Sequence, residues 1–163
     1  MESSRFSRKM STKTTSTACF QRSPIEHSKS EIEKAIHHFE IAFGIASSFD
    51  WHTEKFWIHY NLAWLFYTEE RFDDAQNHIE CARSHTANSV LNLGHAMEVR
   101  AWIWFQQDRF EEARSEALRA VDVYEKLGAA KDIEDSRPLL QYIQEKLDIA
   151  VASGQSDFNC EPL

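Results

Sequence analysis

The sequence predicts an all-α protein in which pairs of helices, each pair joined by a tight turn, follow one another along the chain. The stretch AWLFYTEERFDDA, from Ala63 to Ala75, returns as AWIWFQQDRFEEA, from Ala101 to Ala113, with five positions identical. Glycine and proline, the residues that mark turns, number only 4 and 3 in the 163 residues. Such a low content of turn residues favours long helices with short connections over a fold of many strands.

Apolar side chains recur at intervals of three and four residues, which is the spacing along one face of an α-helix. The pattern predicts six helices, at about 31–47, 53–69, 72–84, 89–107, 110–127 and 131–150. The first is predicted to begin at Ser30, which forms a capping box with Glu33, and the fifth to end at Gly128. Pro138 interrupts the last helix, which either kinks there or restarts with Ser136 as its cap, and we favour the kink.

The two ends of the chain differ from its middle. Residues 1–28 are predicted to form a disordered basic tail rich in Ser and Thr, 29–152 a helical domain, and 153–163 a flexible tail. Residues 1–30 carry six basic and two acidic side chains, so the remainder has a net charge of −12 within a total of −8. For the first segment a mitochondrial transit peptide is the alternative, since such peptides are rich in Arg and Ser.

Composition also bears on location and partners. The three cysteines are odd in number and far apart, which favours a reducing compartment, and we expect the cytoplasm. The acidic charge of the predicted domain argues against nucleic acid as a partner. No apolar run approaches the ~20 residues that cross a bilayer, so we expect no membrane association.

In each copy of the repeated stretch one helix ends, a tight turn follows, and the next helix begins. Acidic pairs come directly after the turn, where the positive end of the helix dipole favours negative charge. Alanines then recur at three- and four-residue spacing, which predicts a strip where two helix backbones approach closely. These alanines are Ala75, Ala82, Ala113, Ala117 and Ala120.

This pattern resembles the tetratricopeptide (TPR) repeat, a helix-turn-helix unit with aromatic, small and large residues at fixed spacing. The first copy matches it at His59, Leu62, Ala63, Phe66, Phe72, Ala75, Ile79 and Ala82. The second copy matches at Met97, Ala101, Trp104, Phe110, Ala113, Ala117 and Ala120, and an earlier half-copy at Ile32, Ala35, Phe39 and Ala42. The resemblance implies a solenoid of about two and a half repeats, with the last helix as a C-terminal cap.

Two features depart from the family pattern. Arg100 stands where the family has Leu, so we expect the fourth helix to be shifted or half exposed there. The equivalent alanines Ala35, Ala75 and Ala113 lie 40 and 38 residues apart, which implies about one extra helical turn beyond the ~34 residues of the usual repeat.

The segment from Phe110 to Leu140 is also similar to the ends of TPR arrays in large fungal multidomain proteins, some of which are NTPases. The sequence has no Gly-x-x-x-x-Gly-Lys phosphate loop. The resemblance therefore carries no NTPase activity over to this chain.

In a TPR stack the first helix of each repeat lines a concave groove for a protein or peptide partner, and the resemblance implies the same here. The implied groove residues are Trp57, Tyr60, Trp64, Tyr67, His95, Glu98, Trp102 and Phe105. Trp and Tyr are common anchors of such contacts. Because the second helix is apolar nearly all round, the alternative is that its aromatic side chains are core, covered by neighbouring helices.

The chemistry of these positions narrows the class of partner. TPR clamps for chaperone tails hold a terminal carboxylate with Lys, Arg and Asn, and no such cluster stands at the groove positions. We therefore expect no binding to acidic chaperone C-terminal tails. Aromatic residues in an acidic domain favour an apolar or basic helix, with an affinity in the micromolar range, or about −8 kcal/mol.

The first predicted helix has an apolar face, made of Ile32, Ile36, Phe39 and Phe43, for which the sequence suggests no partner. At least three repeats are normally needed to bury a continuous core. Two alternatives follow: the chain forms a homo-oligomer through this face, or it is a fragment of a longer array in a signalling protein.

An enzyme or a metal site is the most distant alternative. His78, Cys81 and His85 share a helix face at a spacing that suits zinc, but no second Cys/His pair completes four ligands. A solvent-facing strip is the preferred interpretation, and we predict no metal and no cofactor. The sequence also lacks a Gly-x-Ser-x-Gly nucleophile motif, so we expect no catalysis.

Overall fold

The computed structural model of the protein describes residues 29–86 and 89–156, and within them all regular secondary structure is helical. Its six helices are α1 (Lys29–Ser48), α2 (His52–Thr68), α3 (Phe72–Ser84), α4 (Val90–Gln106), α5 (Phe110–Leu127) and α6 (Ala130–Ser156). The all-α prediction is confirmed, and α6 continues beyond its predicted end near residue 150. The predicted tail at 1–28, with the transit-peptide alternative, lies outside the described residues. Of the predicted flexible tail at 153–163, residues 153–156 belong to α6, which corrects that boundary, and 157–163 lie outside the described residues.

Helices that follow one another in the chain pack against each other. The most extensive contacts join α2 to α3 and α4 to α5, which are the two pairs that contain the repeated stretch. α2 also contacts α4, and α4 contacts α6. These three helices therefore adjoin one another in series, each separated in the chain by one intervening helix.

The alanine strips lie at the seams between helices, as predicted. Ala75 and Ala82 on α3 and Ala113 and Ala120 on α5 have no exposed surface. A side chain of one carbon lets two helix backbones approach closely, so that the large side chains of the neighbouring helix fill the space beside it. The repeated alanines thus explain why α3 and α5 lie tightly on α2 and α4.

The repeated stretch also folds into the same turn twice. Glu70 and Asp108 both adopt left-handed backbone angles, with φ of 58° and 59°. The residue that follows each of them donates its N–H back to a carbonyl in the last turn of the helix. These bonds run from Arg71 to Phe66 and from Arg109 to Trp104, and both are 2.9 Å long. This is the Schellman pattern of helix termination.

An arginine stabilises each of the two turns. The guanidinium of Arg71 lies 4.4 Å from the centre of the Phe66 ring, and that of Arg109 lies 4.8 Å from the Trp104 ring. Each arginine also pairs with an acidic side chain in the first turn of the next helix. The invariance of Arg between the two copies therefore has a structural cause at the turn.

Two details of the helix ends differ from the prediction. Ser30 lies inside α1, which begins at Lys29, so its assignment as the N-cap is wrong. α6 is helical on both sides of Pro138, so a restart at Ser136 is wrong as well. The Ser136 hydroxyl instead donates to the carbonyl of Asp132, 2.9 Å away, within the same helix.

Because Arg100 departs from the family pattern, the sequence predicted that it would be half exposed. The structure shows instead that it is one of the most buried charged residues among those described. Its side chain keeps 10 % of its surface in water. It donates to the carboxylate of Glu116 on α5 and, at 2.9 Å, to that of Glu80 on α3. A buried carboxylate on the neighbouring helix thus takes the place of the apolar contact that Leu would make.

The apolar face of α1 is packed rather than open, which corrects the expectation that it lacks a partner. Ile32 is buried, and Ile36, Phe39 and Phe43 pack against the core formed with α2. The exposed apolar side chains at this end of the molecule belong instead to a different row, here named the outer α1 row. It consists of Ile41, Ile45, Phe49 and Trp51.

Candidate functional site

Four aromatic side chains run along one face of α2 and are here named the aromatic stripe. They are Trp57, Tyr60, Trp64 and Tyr67. The spacing of three and four residues places them on one side of the helix, while Phe56, Leu62 and Phe66 are buried. Each ring of the stripe is partly exposed, so the face is neither fully core nor fully open.

The rings of the aromatic stripe contact one another in sequence. Trp57 and Tyr60 have centroids 5.3 Å apart, Tyr60 and Trp64 6.4 Å, and Trp64 and Tyr67 5.3 Å. All three pairs are edge-to-face, the geometry that aromatic quadrupoles favour. The stripe is therefore an ordered surface whose side chains hold each other in place.

The neighbouring helix α4 extends this surface at one end. The ring of His95 lies 5.9 Å from that of Trp57 and 6.2 Å from that of Tyr60. Glu98, one turn further on, is partly exposed, as is Phe105 near the end of the helix. At the other end of the stripe the Tyr67 hydroxyl accepts a hydrogen bond of 2.9 Å from Gln106. The predicted groove residues on α2 and α4 thus adjoin, with one exception.

The exception is Trp102, which is a core residue. It is 6 % exposed and packs with Leu139 and Ile143 of α6. Its ring lies 6.2 Å from that of Tyr142 on the same helix. Because α6 lies across α4 at Trp102, the open surface consists of the aromatic stripe, the first half of α4 and, near the end of α4, Phe105. The alternative that neighbouring helices cover aromatic residues concerned the second helix only, and the residue that the structure shows covered in this way, Trp102, lies on α4.

Glu98 lies in a polar network that sequence reasoning missed. The hydroxyl of Tyr124, a fully buried residue of α5, donates to Glu98 Oε2 at 2.9 Å and lies 3.2 Å from His95 Nδ1. The Nδ1 atom of His95 is in turn 3.9 Å from the carboxylate of Asp132 on α6. The signal in the sequence is that Tyr124 continues the alanine strip of α5, four residues after Ala120.

Burial dominates the titration of this network. The pKa of Glu98 is raised to about 7, first by burial, and repulsion from Asp132 and Asp135 acts in the same direction. Hydrogen bonds from Tyr124 and Ser136 oppose the shift. Burial also lowers the pKa of His95, which keeps its ring neutral at pH 7. Glu98 is therefore the group in this network that titrates near neutral pH.

The histidines that suggested zinc spacing have a packing role. His78 Nδ1 lies 3.0 Å from Nδ1 of His59 across the α2–α3 contact, and the His85 ring stacks on His59. Cys81, between them in the sequence, is exposed. Burial lowers the pKa of His59 to about 4, so its ring is neutral at pH 7. The described part of the chain holds no group of three or more metal-ligating side chains placed to bind a metal ion.

A surface depression of about 470 Å³ lies at the α2–α3 turn, next to the Tyr67 end of the aromatic stripe, since the Phe72 ring in its lining is 6.0 Å from that of Tyr67. It is lined by Glu70, Arg71, Phe72, Asp73, Asp74 and Gln107. Two of its charged side chains, Arg71 and Asp74, form an ion pair of 2.6 Å with each other and so stabilise the turn.

A scan against protein-family models, a search of curated proteins and a search of solved structures each give no match to this chain. Among the described helices, none combines the length and the apolar character that crossing a membrane requires. A proposal about function therefore depends on the geometry of the described residues.

Proposed function

We propose that this chain is a non-catalytic protein-interaction module of TPR-like architecture. It binds a peptide or helix of a partner protein along the aromatic stripe and the adjoining His95 and Glu98 of α4. The observation that carries the proposal is that four large aromatic rings stay partly exposed on one ordered face, while the other face of α2 is buried. Contiguous exposed apolar surface of this kind is typical of a protein-binding site.

The helix arrangement supports the TPR-like part of the proposal. In stacked helix pairs, the first helix of each pair adjoins the first helix of the next, and the second helix packs behind. α2, α4 and α6 adjoin in this way, and α3 and α5 meet them through buried alanines. The same turn, with the same arginine, joins the helices of both pairs. A cytoplasmic location, suggested by the widely spaced cysteines, is part of the same proposal.

The proposed partner is an apolar or basic segment. Trp and Tyr contribute large contact area at a small cost in side-chain entropy, so a short stripe is enough for micromolar affinity, about −8 kcal/mol. Among the polar groups beside the stripe, Glu98 and Asp132 are acids, and His95 and Gln106 carry no positive charge at pH 7. Acidic chaperone tails and nucleic acid, both anionic, are therefore not proposed as partners.

Affinity purification with isotope-labelled quantification tests the proposal. The variant Tyr60→Ala/Trp64→Ala removes the centre of the aromatic stripe. Tyr142→Ala, which removes an exposed aromatic ring of α6 outside both the stripe and the outer α1 row, is the matched control. All three proteins are first compared by circular dichroism and thermal melting. Partners that bind through the stripe are lost from the double variant and kept by wild type and Tyr142→Ala. Identical partner sets for folded proteins would contradict the proposal.

Self-association through the outer α1 row is a second candidate. The side chains of Ile45 and Phe49 are 50 % and 64 % exposed, and Phe49 stacks on Trp51 with ring centroids 5.0 Å apart. A second copy that buried this row would form a homodimer. Light scattering distinguishes a homodimer from a monomer, and this candidate predicts a dimer for wild type and a monomer for Ile45→Glu. A wild-type protein that is monomeric at high concentration rules this candidate out.

A further inference from the structure

The helix α6 consists of two halves that pack into different parts of the core. Ile133, before Pro138, packs against the cluster of Met97, Ala120 and Tyr124. Leu139 and Ile143, after it, belong to the cluster that contains Trp102. Pro138 has no backbone N–H, so the hydrogen bond that would join the two halves at this point is missing.

The two halves are held with different strength. Leu139 and Ile143 have no exposed surface, whereas in the segment 130–137 Ile133 is only partly buried and the fully buried side chain is the small, polar Ser136. Full burial of a Leu or Ile side chain contributes roughly 1.5–3 kcal/mol, and a partly buried one contributes less. The first half of α6 is therefore the weaker attachment.

That first half also carries the charges that face Glu98. From α6, the carboxylates of Asp132 and Asp135 and the hydroxyl of Ser136 act on Glu98. From α5, the hydroxyl of Tyr124 donates a hydrogen bond to Glu98. From α4, the ring of His95 contacts both Tyr124 and Asp132. Tyr60 of α2 acts electrostatically on Tyr124. An ionised Glu98 would thus stand against two carboxylates of the same short segment.

We propose that the segment 130–137 is a proton-controlled latch, which stays docked on α4 and α5 while Glu98 is protonated and lifts away when Glu98 loses its proton. Its consequence for binding rests on the function proposed above. His95 and Glu98 are already partly exposed beside Trp57 and Tyr60, and lifting of the latch exposes more of their surface at the end of the partner surface. Pro138 is the hinge, and the second half of α6 stays in place over Trp102.

The direction of the switch follows from charge. A protonated Glu98 is neutral, accepts the hydrogen bond of Tyr124 and does not repel Asp132 or Asp135. Loss of the proton places a negative charge on the partly buried Glu98, which is repelled by the partly buried Asp132 and by the exposed Asp135. Repulsion that involves partly buried charges is only weakly screened. Because the pKa of Glu98 lies at about 7, the change falls near neutral pH. Tyr124 does not compete, since burial raises its pKa well above the usual range.

Backbone ¹⁵N relaxation of the full chain without any partner tests the latch. In wild type we expect order parameters of residues 130–136 to fall from about 0.85 at pH 5.5 to below about 0.6 at pH 8.0, and those of 139–147 to stay near 0.85. In Glu98→Gln, which cannot ionise, residues 130–136 should stay ordered at both pH values. Glu125→Gln, an exposed acid on α5, is the matched control and should behave as wild type.

A second variant keeps the test decisive if Glu98→Gln does not fold. Asp132→Asn/Asp135→Asn removes the repulsion from the α6 side, so its segment 130–136 should stay ordered at pH 8.0. The latch would be overturned if the order parameters of residues 130–136 in wild type did not change with pH. It would also be overturned if they fell by as much in Glu98→Gln or in Asp132→Asn/Asp135→Asn as in wild type. Since no partner is present, that result would leave the proposed binding function untouched, which the affinity purification tests separately.

Discussion

Arg100 on α4 and Glu116 on α5 form an ion pair in the interior, with side chains that are 10 % and 3 % exposed. Glu116 also accepts a hydrogen bond of 2.9 Å from Arg119. A charge in such a place costs desolvation energy that only its partner offsets. The pair therefore fixes which faces of α4 and α5 meet.

Removing one member of this pair should destabilise the protein strongly. Arg100→Leu leaves the Glu116 carboxylate buried with only Arg119, and we expect a loss of about 3 kcal/mol in the free energy of unfolding, measured in urea. The double variant Arg100→Leu/Glu116→Leu leaves no buried charge and should recover most of that loss. The control Lys126→Ala breaks an exposed pair with Asp122 and should cost less than about 1 kcal/mol. An Arg100→Leu variant as stable as wild type would show that the pair has no such role.

Gly94 marks the closest approach of α4 and α5. A Cβ atom at this position would lie 2.6 Å from Cε1 of Tyr124, whose ring is fully buried and cannot move aside. We therefore expect Gly94→Ala to destabilise the protein by about 1–3 kcal/mol. Gly44→Ala is the matched change on α1, where nothing lies within 4 Å, and it should stabilise by up to about 1 kcal/mol. Thermal or urea unfolding of the two variants should give shifts of opposite sign, and equal shifts would contradict the packing argument.

The sequence was sufficient for the parts of the fold that depend on local spacing. The repeated stretch predicted both turns and the buried alanines, because a helix end and a close helix contact require particular residues at fixed intervals. The aromatic stripe was likewise predicted by its spacing on α2. None of these needed knowledge of which helices meet at longer range.

The parts that failed depend on contacts between distant segments. Trp102 was assigned to an open groove because nothing in its own helix indicates that α6 covers it. Arg100 was recognised as unusual, but its partner Glu116 was not. The missed signal was an acid in the middle of the buried strip Ala113–Ala117–Ala120, since a charge on such a face needs a counterion. The network of Glu98 was missed because it joins three helices.

Glu70 adopts left-handed backbone angles that favour glycine. For a residue with a Cβ atom this conformation costs roughly 1–2 kcal/mol, and Gly avoids most of the cost. Because Glu70 is exposed, we expect Glu70→Gly to stabilise the protein by about 1 kcal/mol. Gly128, with φ of 66° at the end of α5, offers the reverse change, and Gly128→Ala should destabilise by about 1 kcal/mol. Destabilisation by both variants in urea unfolding would contradict this account of the turns.

The dependence of stability on pH should contain two opposing contributions. The folded-state pKa of Glu98 is raised, from 4.5 to about 7, so its contribution to stability is full below pH 4.5 and is lost as the pH rises towards 7. The folded-state pKa of His59 is lowered, from 6.5 to about 4, so its contribution is full above pH 6.5 and is lost as the pH falls towards 4. In wild type the two changes partly cancel between these limits, with about 3 kcal/mol from Glu98 and less from the half-buried His59, where solvent screens the charge.

Glu98→Gln separates the two contributions. Without the contribution of Glu98, the free energy of unfolding should increase more steeply with pH between 4.5 and 6.5 than it does in wild type. The reason is that only the histidine contribution, which increases with pH, remains. His78 and His85, whose pKa values burial also lowers, act in the same direction as His59. Urea unfolding at half-unit steps of pH measures the slope, with Glu125→Gln as the control for loss of an exposed acid. If Glu98→Gln and wild type have parallel profiles, Glu98 does not hold its proton in the folded protein, and the network around Tyr124 is then not the buried site described above.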